Sequence, residues 1–243
     1  VPFVFAAVGS FLNVVIYRLP RGQSVVTPRS QCPNCGHMLN WVDLVPILSY
    51  LMLRARCRYC RARIPLRYAA IEALSMVSLS LVWYNTGNIL RWPYVVLAAL
   101  LIAITFIDYD HYYIPDKLLL VGGGAWVGLR AFLPFIDPPR ALLGLALGFA
   151  VMLVIYLLAR GGMGFGDVKL TALLGLYLGP APVMLTLLLS FVVGATAGIL
   201  LMILKLKGRK DMLPFGPFLA LGAFFTMLCG PAIILWYTQV IGL

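Results

Sequence analysis

Apolar and polar residues fall in long blocks along this chain, not at the short period of a surface helix or strand. Continuous apolar runs occupy about Val1–Tyr17, Tyr68–Tyr84, Pro93–Ile107, Lys117–Phe135, Ala141–Ala159, Val168–Leu178, Ala181–Leu204 and Pro217–Val240. About 20 apolar residues suffice to cross a bilayer as a helix, so these eight runs predict eight transmembrane helices. The third and sixth runs are short, because their polar ends carry acidic residues; a shortened or unwound helix is tolerated where it lines protein or water. Between the first and second runs lies the one polar stretch long enough to form a small domain, Arg18 to Arg67. The predicted organisation is a first transmembrane helix (1–17), a cytoplasmic insert (18–67) and a seven-helix membrane domain (68–243).

Composition agrees with the block pattern. Of 243 residues, 62% are hydrophobic and 11% charged, which excludes an ordinary soluble domain. The formal charge of +11 would suggest nucleic acid on a soluble protein; in a polytopic one it belongs in cytoplasmic loops, and no nucleic-acid partner is expected. If the insert is cytoplasmic, sixteen of the nineteen basic residues share its side: nine within the insert, then Lys117, Arg160, Lys169, Lys205, Lys207, Arg209 and Lys210. Only Arg91, Arg130 and Arg140 lie opposite, a bias that fixes the orientation. Val1 to Val15 runs into Tyr17-Arg18 without a cleavage-site pattern, so no cleavable signal peptide is expected. The chain begins without Met inside an apolar run, so residues are expected to precede Val1.

The insert carries Cys32-Pro33-Asn34-Cys35 and Cys57-Arg58-Tyr59-Cys60, two CxxC knuckles 21 residues apart. Four thiolates suit a closed tetrahedral zinc site, and a domain this small needs such a staple. A disulfide pair or redox dithiol is the alternative, disfavoured in a reducing cytoplasm. With all four positions filled by Cys32, Cys35, Cys57 and Cys60, the metal is assigned to folding. Cys229 reads as a small core residue; His37 and His111 could each serve as a ligand or a base, but a lone histidine near a polar loop is more often solvated or hydrogen-bonded.

Candidate chemistry lies in the acidic residues. Asp108-Tyr109-Asp110 and Ile114-Pro115-Asp116 follow the third run, and Gly164-Phe165-Gly166-Asp167 opens the sixth. Ionisable groups at a bilayer are costly and functional by default. Asp108 and Asp167 both fall on the cytoplasmic side, where they can converge as an aspartyl dyad, one carboxylate activating water and one carboxylic acid polarising a carbonyl. Gly164 and Gly166 permit a bent backbone and close approach of a substrate strand, and Pro115 discourages a continuous helix. A proton relay in a transporter accounts for the same acids equally well on physics alone; Asp110 and Asp116 can also cap a helix or pair with Lys117 and Lys169. No repeat of matched broken helices, as transporters show, is present.

The combination of motifs resembles the bacterial type IV prepilin leader peptidases, which are GxGD aspartic proteases. It comprises Gly9-Ser10-Phe11-Leu12-Asn13-Val14-Val15-Ile16-Tyr17-Arg18-Leu19-Pro20, the four-cysteine insert, Arg67-Tyr68 with Glu72, Asp108-Tyr109-Asp110 with Ile114-Pro115-Asp116, and Gly164-Phe165-Gly166-Asp167-Val168-Lys169. The resemblance implies an inner-membrane endopeptidase, its site facing the cytoplasm, that cleaves the basic leader of prepilins and pseudopilins of type IV pilus and type II secretion systems. It also implies N-methylation of the new amino terminus with S-adenosylmethionine. Carried over, the catalytic pair is Asp108 and Asp167; Asp108 is preferred over Asp110 because it lies six residues before Ile114-Pro115. Asp110, Asp116, Gly164, Gly166 and Lys169 are supporting candidates. Asn13, Arg18 and Glu72 are candidates for methyl-donor contact, with plain alternatives in an interhelical hydrogen bond, a headgroup anchor, and pairing with Arg67 or Arg18. A monofunctional prepilin or preflagellin-type peptidase is the alternative within the family.

Overall fold

The computed structural model describes residues 1–159, 161–206, 208 and 212–241. Arg160, Lys207, Arg209 and Lys210 of the charge count lie outside the described residues. Among the described residues every regular element is helical, and the only extended pairings are two isolated bridges, Gln31 with Met38 and Arg56 with Arg63. The chain forms two compact units, Val1–Tyr84 and Asn85–Leu243.

In the first unit, α1 (Pro2–Arg18) leads through a 3-10 turn into the cysteine insert, which contains the short α2 (Leu48–Met52), and α3 (Leu66–Asn85) follows. Phe5 of α1 meets Trp83 of α3 edge-on at 5.9 Å. The Asn13 side-chain amide donates to the Tyr68 carbonyl at 3.1 Å, which spares a buried polar group the cost of leaving water unpaired.

The second unit contains α4 (Asn88–His111), α5 (Asp116–Phe132), α6 (Pro138–Leu158), α7 (Phe165–Leu178), α8 (Pro180–Ile203) and α9 (Gly216–Ile241). Each of the eight apolar runs holds a helix, and among the described residues six helices are long and apolar enough to cross a membrane: α1, α3, α4, α6, α8 and α9. At 17 and 14 residues, α5 and α7 fall short of that length. One expectation needs correction: α4 is not short but 24 residues long, beginning before Pro93 and continuing through Asp108 and Asp110. Proline so near a helix start removes only one early backbone bond, and an acidic last turn does not stop a helix by itself. The stop comes at Tyr112, left-handed at φ 56°, whose N–H closes on the Asp108 carbonyl at 2.8 Å. Pro115 then sits at the N-cap of α5.

The shortest of these helices is the centre of its unit. Val168, Leu170, Leu173, Leu174, Leu176 and Tyr177 of α7 are all buried, and α4, α5, α6, α8 and α9 all contact it. A helix apolar on every side and walled by protein need not match a bilayer's thickness. Its tightest neighbour is α6, where Gly144 and Gly175 bring the backbones together; a Cβ at either would overlap the other's peptide.

Candidate functional site

Four helix ends meet around a cavity of about 500 Å³ in the second unit. The C-terminal end of α4 brings Asp108, and the N-terminal ends of α5 and α7 bring Asp116 and Asp167. Leu213, Pro214 and Phe215, leading into α9, complete the wall. A helix N-terminus carries unpaired N–H groups and about half a positive charge, so three of these ends favour negative charge in the cavity.

Asp108 and Asp167 are both buried, and both line this cavity. Asp108 Oδ2 accepts a hydrogen bond from the Gly216 backbone N–H at 2.9 Å, the first amide of α9. A Cβ on residue 216 would stand 2.7 Å from that oxygen, so only glycine lets the backbone come so near. Asp167 sits in the first turn of α7, held by its own N–H on the Gly164 carbonyl at 3.2 Å and by the Thr171 hydroxyl donating to its carbonyl at 2.9 Å.

The other candidates fall at the rim or outside. Lys169 Nζ bridges both Asp116 oxygens, at 2.7 and 2.9 Å, with both side chains partly exposed. Asp116 therefore pairs with Lys169, and the N-cap position of α5 is held by Pro115. Asp110 is exposed and does not line the cavity. Gly164 is the extended N-cap of α7, and Gly166 packs so closely on Ile114 that an added Cβ would lie 3.0 Å from the Ile114 Cβ. Sequence reasoning missed Tyr112, Tyr113, Met163 and the Pro214-Phe215-Gly216 segment, all at the cavity. The signal was present in Pro214-Phe215-Gly216-Pro217, a glycine between prolines that marks a turn opening an apolar run.

The insert gathers all four cysteines. Each knuckle is closed the same way, with Cys32 N–H on the His37 carbonyl at 2.9 Å and Cys57 N–H on the Ala62 carbonyl at 2.8 Å. The residue after each second cysteine is left-handed, Gly36 at φ 68° and Arg61 at φ 61°. All four Sγ atoms lie within 4.8 Å of one another, and Cys32 and Cys60 are 3.8 Å apart. Sulfurs about 2.3 Å from a tetrahedral ion stand about 3.8 Å apart, so the cluster fits a metal of that coordination. The Ala62 backbone N–H, with the Asn34 side-chain amide 3.6 Å away, pulls the Cys60 thiol down to about 6, which favours a ligating thiolate. Among the described residues this is the one such ligand group, and His37 stays outside it, stacked on Tyr59 at 3.6 Å. Cys229 is half-buried in α9, not a core residue. A second network ties the knuckles together. Burial would raise the Asp43 carboxyl, but hydrogen bonds from Arg58 at 2.6 Å, the Asn40 N–H and the Tyr59 hydroxyl outweigh it and hold it below the usual range.

Asn13, Arg18 and Glu72 come together on a larger cavity of about 720 Å³ in the first unit, which Cys32 and Cys57 also border. Arg18 donates to the Ser24 and Pro28 carbonyls at 3.1 and 2.8 Å, bracing the loop below α1. Glu72 Oε2 accepts the Ile47 N–H at 2.8 Å. The Asp43 and Glu72 carboxylates, the Arg18, Arg58 and Arg63 guanidiniums, amide and hydroxyl groups and the aromatic rings of Tyr17, Tyr50 and Tyr68 share its lining, which offers partners of both charges to a small polar organic molecule.

The bacterial peptidase A24 N-terminal domain matches residues 4–86, and the type IV leader peptidase family matches residues 95–199. Proteins named prepilin leader peptidase/N-methyltransferase resemble the chain throughout. The one from Aeromonas salmonicida (strain A449) is 35% identical, covering 98% of this chain and 93% of the relative. Those from Pseudomonas putida and Pseudomonas aeruginosa are each 34% identical, covering 97% of this chain and 91% of the relative. No solved structure matches it.

Proposed function

The chain belongs to the type IV leader peptidase family, and from that premise we propose that it removes the leader of prepilins and pseudopilins and methylates the amino terminus so exposed. The observation that carries the first activity is the burial of Asp108 and Asp167 on one cavity ringed by helix N-termini. In this reading the two carboxyls share one proton. The ionised one takes a proton from water as the water oxygen bonds to the scissile carbonyl carbon. The protonated one delivers its proton to the departing amine nitrogen as the C–N bond breaks. Gly216 holds Asp108 through its N–H, and the Asp116–Lys169 pair borders the entrance. Asp110, exposed and off the cavity, plays no direct part in the chemistry.

The methyl-transfer reading rests on the first-unit cavity. S-adenosylmethionine would supply there a methyl carbon activated by its sulfonium, and Asn13, Glu72 and the tyrosines would hold it. The Glu72 carboxylate suits a cationic ligand, and Arg18 acts through the loop it braces. The four-cysteine cluster takes zinc as a structural ion, whose departure would unmake one wall of this cavity. The enzyme sits in the bacterial inner membrane with the leader site facing the cytoplasm, the side its basic residues favour.

Incubating the purified protein with a prepilin and labelled S-adenosylmethionine tests both activities together. Asp108→Asn and Asp167→Asn should each abolish cleavage and leave methylation of a pre-cleaved pilin intact; full cleavage by either variant overturns the dyad.

A further inference from the structure

The stretch from Trp41 to Met52 reads Trp-Val-Asp-Leu-Val-Pro-Ile-Leu-Ser-Tyr-Leu-Met, and Trp41, Val42, Leu48, Leu51 and Met52 among its apolar side chains are exposed. In α2, Leu48, Leu51 and Met52 lie on one face, spaced three and four residues apart, and are exposed; Met52 is 81% exposed. The opposite face, Ser49, Tyr50 and Leu53, lines the cavity of the first unit. Trp41, in the preceding 3-10 turn, is 77% exposed. A helix with its polar face inward and its apolar face outward is the inverse of a water-facing surface helix.

Position along α3 points to what covers that face. Glu72 lies six residues into α3, about 9 Å along its axis at 1.5 Å per residue, and accepts the Ile47 N–H at 2.8 Å. The start of α2 is therefore tied to the second turn of a candidate membrane span, not to a loop above it. Immediately after α2 come Arg54, Arg56, Arg58, Arg61 and Arg63, all exposed, while Asp43 is the insert's one acid. Apolar side chains with tryptophan, next to a run of arginines, fit the acyl boundary and the anionic headgroups of a bilayer.

We propose that Trp41–Met52 is an interfacial membrane segment, its outer face seated in the lipid at headgroup depth, so that the metal insert lies on the bilayer instead of standing free in solution. Arginines on both knuckle flanks would then sit among phosphates. The adjoining cavity would open beside lipid.

Fluorescence depth measurement in vesicles of phosphatidylethanolamine and phosphatidylglycerol tests this. One chain carries Leu51→Trp with Trp41, Trp83, Trp92, Trp126 and Trp236 replaced by Phe; a control keeps Trp236 alone, exposed on the spanning α9. Acyl-brominated lipid should quench residue 51 as strongly as the control, and aqueous iodide should leave it unquenched. Iodide quenching without lipid quenching overturns the proposal, and so does shielding from both, which would mean that protein covers this face. Because multiple tryptophan replacements can impair folding, p-benzoylphenylalanine at Met52 in the otherwise native chain gives an independent reading. Photolysis in the same vesicles should yield a phospholipid adduct; a polypeptide adduct, or no lipid adduct, refutes it.

Discussion

Substituting Gly216 by alanine perturbs the hydrogen bond that holds Asp108 from outside its own helix. The new Cβ would stand 2.7 Å from Asp108 Oδ2, and the carboxylate must retreat by about 0.7 Å to reach the 3.4 Å of ordinary contact. That movement strains the 2.9 Å hydrogen bond from the residue 216 N–H. A hydrogen bond to a charged group contributes about 1.5–3 kcal/mol, and a misplacement near 1 Å costs a reaction about 100-fold. Gly216→Ala should therefore lower kcat for leader cleavage by about 100-fold to 1,000-fold with little change in KM, since no substrate-binding surface is removed. The assay is cleavage of a prepilin in proteoliposomes, with methylation of a pre-cleaved pilin by the same preparation as the internal control. If the substitution merely unfolded the chain, both activities would fall together. Cleavage within a few-fold of the parent would refute the view that Asp108 depends on this amide.

Other outcomes follow from the same geometry. Gly175→Val drives a branched side chain into the α6 backbone at Gly144 and should lower thermal stability by more than about 3 kcal/mol, or abolish accumulation of folded protein, measured by thermal denaturation in detergent. Lys169→Gln breaks a pair whose members are 39% and 64% exposed, so its effect on stability should stay within about 1 kcal/mol by the same measurement. Cys57→Ser should empty the cluster, read as loss of bound zinc by elemental analysis, and should unfold the insert so that trypsin cuts at its already exposed arginines while the second unit resists. Glu72→Gln and Asn13→Leu should depress methyl transfer at least tenfold and leave leader cleavage near the parent rate, scored with labelled S-adenosylmethionine.

Much of this arrangement is legible in the residues, and the parts that are not share a cause. Long apolar blocks are decided by burial and hydrogen-bond satisfaction within the chain itself, so each predicted run holds a helix. CxxC knuckles are local turns whose spacing pairs the sulfurs within each, and the structure brings both pairs together. The length of α4 departs from its apolar run because the acids at its polar end shorten the run and not the helix. The helix instead ends at Tyr112, through a left-handed turn that no residue type there demands. Gly216 escaped notice because its role depends on an oxygen 108 residues away in sequence. The Trp41–Met52 stretch was absorbed into a polar insert whose arginines dominate its composition; its apolar face is visible only once α2 is placed against α3. The same applies to Asp108 and Asp110, two residues apart in one helix, where rotation of about 200° puts one on the cavity and the other in solvent.

The enclosure of α7 carries a consequence for how the enzyme meets different membranes. Spanning helices tilt or stretch the bilayer around them when its thickness changes, which shifts the groups they carry. At 14 residues, α7 is about 21 Å long, and its surroundings are other helices. The depth of Asp167 is thus referenced to the protein and not to the lipid. Vesicles of shorter or longer acyl chains should alter how the spanning helices sit, α4 with Asp108 among them, while leaving Asp167 fixed relative to the helices packed around α7.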